Sequence, residues 1–207
     1  MISYIFKTNL TNFRDAIIND DTDKICRFLD VERDYLNKKI DNQGNTPLIL
    51  AIEYASPFTV NLLLAQGAQP DLPNLVTART PLNLVASKHF DDYSSNEAKK
   101  MLEKAKILLE NGAYVDKPAV RRYKNSSFHE YLCKETPLMA SVKRQNLPMA
   151  KLLIAHKANI NYAEKRSNVQ AYKSSKSLLM RSHIRFFFSY LEFTMLLSMV
   201  MSLCSIC

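Results

Sequence analysis

Three copies of a two-part pattern constrain the fold of this chain of 207 residues more than any other feature. Each copy begins with Thr-Pro-Leu and later reaches a run rich in leucine that ends in Gly-Ala or Lys-Ala. The leucine-rich runs end at Ala68, Ala113 and Ala158. A repeated unit of this size predicts a stack of similar substructures rather than one globular core.

The spacing within the copies indicates that the middle one is extended. The two parts lie 21 positions apart in the first and third copies, from Thr46 to Gly67 and from Thr136 to Lys157, but 32 positions apart in the middle copy. About 11 residues are therefore inserted between the two parts of the middle copy, and a second insertion of similar size precedes Thr136.

The first copy predicts a pair of short helices. The Thr46 hydroxyl can accept a backbone N–H bond at a helix start, and Pro47 fits the first helical position. Pro57 ends the first helix because it has no N–H to donate, and a second helix follows over about 58–66. Gly67 then takes the left-handed conformation that closes helices. Neither helix buries its apolar face alone, so the units must stack.

The three copies resemble the ankyrin repeat over about residues 41–163. The matching stretches are "DNQGNTPLILA" with "LLLAQGAQPD", "TARTPLNLVA" with "ILLENGAYVD", and "CKETPLMASV" with "LLIAHKANIN". The resemblance extends to host-associated bacterial or viral ankyrin-repeat proteins, and it implies an all-α solenoid of helix-turn-helix units with hairpin or loop fingers. The framework residues that it assigns are Thr46, Pro47, Leu48, Gly67, Thr80, Pro81, Leu82, Gly112, Thr136, Pro137 and Leu138.

The pattern divides the chain into seven segments. A weaker first unit keeps the apolar spacing at Ala16, Ile17, Ile25, Phe28 and Leu29 and is expected to cap the stack. The predicted segments are a degenerate capping repeat (1–40), a repeat (41–73), a repeat with an insertion between its helices (74–117), an inserted basic finger (118–134), a repeat (135–163), a basic linker or decayed repeat (164–185) and a hydrophobic tail (186–207).

Departures from the family pattern predict a correct fold of modest stability. Ile49, Asn83 and Met139 replace the family's histidine, so we expect the Thr–His hydrogen bonds that tie neighbouring repeats to be missing. Lys157 occupies a glycine position where a positive φ is expected. A tetratricopeptide array is the alternative, and the absence of Trp, the early proline and the Gly-Ala after the second helix weaken it.

The two insertions are the strongest candidates for function. In the first, Ser94 and Glu97 have capping-box spacing and predict a lengthened second helix. The second falls where the family has a finger between repeats, and the resemblance implies that fingers and first helices line a groove that holds partners. Its basic and aromatic residues suit an acidic protein surface: Arg121, Arg122, Tyr123, Lys124, Phe128, His129 and Tyr131. A surface insertion that binds nothing is the alternative.

The positive charge belongs to the second half of the chain. Residues 1–116 hold 13 Lys and Arg against 16 Asp and Glu, whereas residues 117–207 hold 15 against 4. A basic half can meet an acidic protein, nucleic acid or anionic lipid. We favour a protein partner, with nucleic acid as the weaker alternative.

The tail 186–207 carries one charge in 22 residues, Glu192, and is long enough to span a bilayer. Three interpretations remain open: a C-terminal membrane anchor, a helix pair packed on the end of the stack, and an end left by truncation or a changed reading frame of a longer ankyrin protein. Glu192 opposes insertion, whereas the length and the basic residues upstream favour it.

No catalytic motif is present, and three glycines are too few for a phosphate-binding loop. His129 and Cys133 supply only two metal ligands, and Cys204 with Cys207 is a weak redox or prenylation signal. We therefore predict a monomeric, non-catalytic protein-interaction module without metal or cofactor, or alternatively an adaptor tethered to a membrane by its tail. Four scattered cysteines and an apolar N-terminus too short for a signal peptide predict a reducing, cytoplasmic location.

Overall fold

The computed structural model describes residues 2–124 and 130–162, and within them the side chains of 9–120 and 134–162. The described residues form helical pairs and one hairpin. In chain order the elements are α1 (Ile2–Ile18), α2 (Thr22–Val31), a 3₁₀ helix (Arg33–Asn37), α3 (Pro47–Tyr54), α4 (Pro57–Ala65), α5 (Pro81–Ala86), α6 (Asn96–Glu110), β1 (Ala119–Lys124), β2 (Glu130–Glu135), α7 (Pro137–Lys143) and α8 (Leu147–Ala155).

The helices form two rows. Each odd-numbered helix packs against the next even-numbered one, and α1, α3, α5 and α7 also pack in sequence as a row of first helices. A row of second helices is formed by α4, α6 and α8. The core lies between the rows and is built from aliphatic side chains that are almost fully buried, among them Leu48, Ile52, Val60, Leu63, Leu82, Val85, Leu108, Leu138 and Leu153. The predicted all-α solenoid of stacked helix pairs is confirmed.

Each Thr-Pro-Leu begins a first helix in the way the sequence predicts. The hydroxyl groups of Thr46, Thr80 and Thr136 accept the backbone N–H three residues ahead at 3.4, 3.3 and 3.2 Å. The proline that follows each threonine takes the first helical position, where no N–H is needed. All three threonines are buried, so each cap also satisfies a hydroxyl that water cannot reach.

Residues with positive φ close the second helices. Gly67 and Gly112 have φ of 100° and 83°, and Lys157, at the equivalent position, has φ of 65°. The prediction that Lys157 needs a positive φ is confirmed. A side chain in this conformation costs about 1 kcal/mol relative to glycine.

The insertion in the middle copy lengthens the second helix, as predicted. Helix α6 has 15 residues, whereas α4 and α8 have 9 each. The predicted cap is wrong by one residue, because the Ser95 hydroxyl accepts the Ala98 N–H at 3.2 Å while the Ser94 hydroxyl donates to Asp92 at 2.8 Å. Asp92 competes for Ser94 and leaves Ser95 as the cap.

Asn83, which replaces the family's histidine in the middle copy, forms two side-chain hydrogen bonds of its own. Its Nδ2 donates to the Thr80 hydroxyl at 3.1 Å and to the carbonyl oxygen of Lys117 at 2.6 Å, in the segment that leads to the hairpin. A short amide side chain therefore joins the threonine cap to the following segment at the position where the family has an imidazole.

A second set of polar links joins consecutive units at the loops that follow the second helices. The Asn37 side chain accepts the Gln69 N–H at 2.8 Å. Asp71 accepts the Tyr114 N–H at 3.2 Å, and Asp116 accepts the Asn159 N–H at 2.9 Å. Each acceptor lies one unit before its donor, so the same contact recurs three times and includes the degenerate first unit.

Lys104 lies on α6 and is buried, with 3 % of its surface exposed. Its ammonium donates to the carbonyl oxygens of Ala51 and Ile52 at 3.2 and 2.7 Å, at the end of α3. Burial lowers the pKa of Lys104 to about 8, and the Asp20 carboxylate opposes that change. The positive charge is favourable at a helix C-terminus, which partly offsets its burial.

Asp20 holds the loop between α1 and α2 against the start of α4. Its carboxylate accepts the N–H and the hydroxyl of Ser56 at 3.1 and 3.2 Å and the Thr59 hydroxyl at 2.5 Å. Burial alone would raise the pKa of Asp20, but these hydrogen bonds outweigh it and the pKa lies below its usual value.

Candidate protein-interaction surface

Three finger segments connect consecutive helical pairs. Finger 1 comprises residues 41–45, finger 2 comprises 74–79, and finger 3 is the hairpin formed by 119–135. We call these three segments together the finger surface. Each of them directly precedes the threonine that caps the next first helix, so the caps fix where the fingers leave the stack.

Finger 3 is a two-stranded antiparallel hairpin that lies within the region of the second insertion. The pairing sets Arg121 opposite Cys133, Arg122 opposite Leu132, Tyr123 opposite Tyr131, and Lys124 opposite Glu130. Five of the seven predicted binding residues thus lie on the paired strands, namely Arg121, Arg122, Tyr123, Lys124 and Tyr131. Phe128 and His129 lie outside the described residues. The side-chain positions of all seven also lie outside the described part.

The base of finger 3 is fixed to the stack. Ala119 is buried, and Glu135 pairs with Lys143 of α7 at 2.6 Å. Asn83 of α5 holds the Lys117 carbonyl oxygen just before β1. The hairpin is therefore attached on one side through α5 and on the other through α7.

Finger 2 is a tight turn built around one buried asparagine. The Asn74 side-chain oxygen accepts the N–H of Val76 at 2.7 Å and the N–H of Thr77 at 2.8 Å, and the Asn74 N–H donates to the Arg79 carbonyl oxygen at 2.9 Å. Ala78 takes a positive φ of 50° to complete the turn. Asparagine suits this role because its short amide can replace a backbone acceptor within a turn.

Fingers 1 and 2 are joined by side-chain hydrogen bonds. The Asn74 amide donates to the Asn45 side-chain oxygen, and the Asn45 amide donates to Asp41 at 2.7 Å. Asp41 also accepts the N–H groups of Gln43 and Asn45 at 3.0 and 2.8 Å. The carboxylate of Asp41 is therefore committed to holding finger 1 in shape.

Gly44 makes close contact between these two fingers. The Leu75 N–H donates to the Gly44 carbonyl oxygen at 3.4 Å. A Cβ atom on Gly44 would lie about 2.5 Å from the Leu75 Cβ, and Gly44 has φ of 72°. Glycine is required here both by the backbone conformation and by the lack of space.

Two exposed apolar side chains at finger 2 were missed by the sequence reasoning. Leu75 is 64 % exposed and Val76 is 73 % exposed, and we call this pair the apolar tip. These two residues lie in a loop, where there is no hydrophobic periodicity from which they could stand out. An Asn followed by two large apolar residues shortly before a Thr-Pro-Leu was the signal that could have found them.

The described residues offer no cluster of three His, Cys, Asp or Glu side chains that could hold a metal ion. None of the helices in the described ranges is long and apolar enough to cross a bilayer. The tail 186–207, on which the membrane prediction depends, lies outside those ranges, as do Cys204 and Cys207. Of the pair considered as metal ligands, His129 lies outside them as well.

Helical pairs stacked in two rows and joined by finger segments define a helical-repeat solenoid. The family model described as Ankyrin repeat matches residues 43–75 and 133–165. The two matches support the resemblance to the ankyrin-repeat family at both positions. A search of curated proteins finds no match to the sequence. Ankyrin repeats are generally protein–protein interaction modules, and the family is typically non-catalytic.

Proposed function

We propose that this chain binds a protein partner with an acidic surface through the finger surface, and that finger 3 makes the main contact. The observation that carries the proposal is the basic hairpin, which is attached to the stack at both ends of its base. Between residues 117 and 124 the sequence has four Lys or Arg and no Asp or Glu. Opposite charges at the rim of an interface raise the association rate and select the partner.

Residues 117–135 hold five Lys or Arg against Glu130 and Glu135, and the other acids near the fingers are engaged elsewhere in the chain. Asp41 is committed to finger 1, and Glu135 pairs with Lys143. Asp71 and Asp116 accept backbone N–H groups of the next unit. A hairpin with an excess of basic residues favours carboxylates on the partner.

The test starts from capture of a partner by the full chain, followed by measurement of its Kd. The variant R121A/R122A/Y123A should weaken binding at least ten-fold. The matched control is K99A/K100A/Y114A, which removes two exposed lysines of α6 and one exposed tyrosine from outside the fingers. Unchanged binding by the finger variant, or an equal loss in the control, would refute the proposal.

A membrane tether through residues 186–207 is a second proposal, and it rests on 22 residues with a single charge. Carbonate extraction of membranes from cells that express the full chain tests it. The chain should stay in the membrane pellet, and release into the supernatant would exclude a spanning tail. Truncation after residue 185 provides the control, since it should release the protein.

A further inference from the structure

The apolar tip of finger 2 combines exposure with a fixed backbone. Leu75 and Val76 leave most of their surface in solvent, although leucine and valine gain free energy when they are covered. Two adjacent residues of this type on a turn form a small contact patch rather than a scattered surface residue.

Hydrogen bonds hold the apolar tip in one conformation before any partner arrives. Asn74 fixes the N–H groups of Val76 and Thr77, and the Leu75 N–H is bound to Gly44 of finger 1. The Asn74 amide in turn donates to Asn45. A turn that is already ordered loses little conformational entropy on binding, so more of the contact free energy appears as affinity.

The segment that carries the apolar tip contains no acidic residue. No Asp or Glu occurs between Leu72 and Phe90, and the nearest acid of finger 1, Asp41, is held by its own finger. Lys39 is exposed just before finger 1, and the basic strand β1 belongs to the next finger along the stack. An apolar patch in a segment without acids, with the basic finger 3 next along the stack, selects against basic partner segments and in favour of acidic ones.

We propose that the apolar tip is the central anchor of the finger surface, and that it binds a partner segment in which an apolar side chain is flanked by carboxylates. The inference rests on the proposed function, which it deepens by naming the chemistry of the partner. The apolar side chain of the partner covers Leu75 and Val76, while its carboxylates face the basic finger 3. Central apolar contacts ringed by charged ones are the usual arrangement of strong interfaces.

The test selects a displayed library of random linear peptides on the immobilised full chain. Peptides that bind should share an apolar residue with Asp or Glu on at least one side. Exchange of those acids for Asn or Gln, and separately of the apolar residue for Ser, should each weaken binding at least ten-fold. An enriched set without this pattern, or no enrichment at all, would overturn the inference.

Variants of the chain locate the contact. L75S/V76S should weaken binding of the selected peptides at least ten-fold, and V76D should weaken it more than V76S because it adds repulsion. The matched control is V31S, which removes an apolar side chain that is 81 % exposed on α2, outside the fingers. Circular dichroism and thermal unfolding of each variant show whether the fold is kept. If L75S disturbs the contact with Gly44, the single variant V76S is used to test peptide binding instead.

The outcomes separate this inference from the proposed function. If R121A/R122A/Y123A loses the captured partner while L75S/V76S binds both partner and peptides normally, the apolar tip is not the anchor and the proposed function stands. If both variants bind normally, the proposed function fails together with the inference.

Discussion

Replacing Lys104 with Met should change how the free energy of unfolding depends on pH above neutrality. The wild-type ammonium is buried on α6 and donates to the carbonyl oxygens of Ala51 and Ile52. Its pKa is lowered to about 8 from 10.5, first by burial and then by the charges of Lys100 and Lys88, while Asp20 acts in the opposite direction. Methionine has a similar length and no charge, so K104M removes this titration.

The sign follows from proton binding in the two states. Between the native pKa of about 8 and the unfolded value of 10.5, the unfolded chain holds a proton on Lys104 that the native protein has released. The stability of the wild type therefore rises with pH in this window, and the cost of burying the charge is fully present below it. From about pH 7 to about pH 10 this gain amounts to roughly 2 to 3 kcal/mol.

The assay is urea unfolding followed by circular dichroism, at several pH values over that range. The free energy of unfolding of the wild type minus that of K104M should increase with pH by the stated amount, since other titrations cancel in the difference. The variant K106M, which removes an exposed lysine of the same helix, controls for the loss of one charge. A difference between wild type and K104M that stays constant with pH would refute the reasoning.

Three further predictions concern stability, each measured by urea unfolding. G44A should cost about 2 to 4 kcal/mol, and the cost should fall to about 1 in an L75G background, which removes the Leu75 Cβ and leaves only the positive φ unfavourable. K157G should stabilise the protein by about 1 kcal/mol, and G112A should destabilise it by a similar amount. An unchanged free energy of unfolding in either variant would contradict this. N83A should cost about 1 to 3 kcal/mol because it leaves the Lys117 carbonyl oxygen without its donor, and no loss would show that the link is replaced by water.

The helical framework was predictable because its signals are local. A threonine that caps and a proline that follows act within one turn of a helix, so Thr46 and Pro47 specify the start of α3 without reference to the rest of the chain. The position of Gly67 after a leucine run likewise specifies the end of α4. The start of the second helix in the middle unit was harder to predict. Ser94 was wrongly predicted as its cap, because the Ser94 hydroxyl donates to Asp92 instead.

Lys104 escaped prediction because burial depends on the neighbouring units. The apolar residues in the sequence of α6 recur at helical spacing, and position 104 is not one of them. A lysine in an amphipathic helix is expected to lie in solvent. Helix α6 packs against α4, α5 and α8, so its buried face is wider than the stripe. The carbonyl oxygens that receive the ammonium belong to α3, more than fifty positions earlier in the chain.

The candidate surface was predictable only where its composition was unusual. The density of basic and aromatic residues in 118–134 marked finger 3, and the family resemblance supplied its place in the fold. Leu75 and Val76 carry no such signal, because their exposure depends on Asn74 and Gly44, which position them through long-range contacts. A sequence pattern can point to loop residues of this kind, but their exposure can be judged only once the neighbouring finger is in place.

The links between units show how this stack tolerates the loss of the histidines. Asn37, Asp71 and Asp116 each accept a backbone N–H of the following unit. These links therefore need only a short polar side chain in one unit and a backbone N–H in the next, and every residue except proline has that N–H. Asn83 restores the link at the helix start in the one unit where finger 3 begins. Because backbone donors do not depend on sequence, the residues of the fingers are free to vary between units. The differences that could confer partner selectivity are therefore concentrated in fingers 2 and 3, where the apolar tip and the basic hairpin lie.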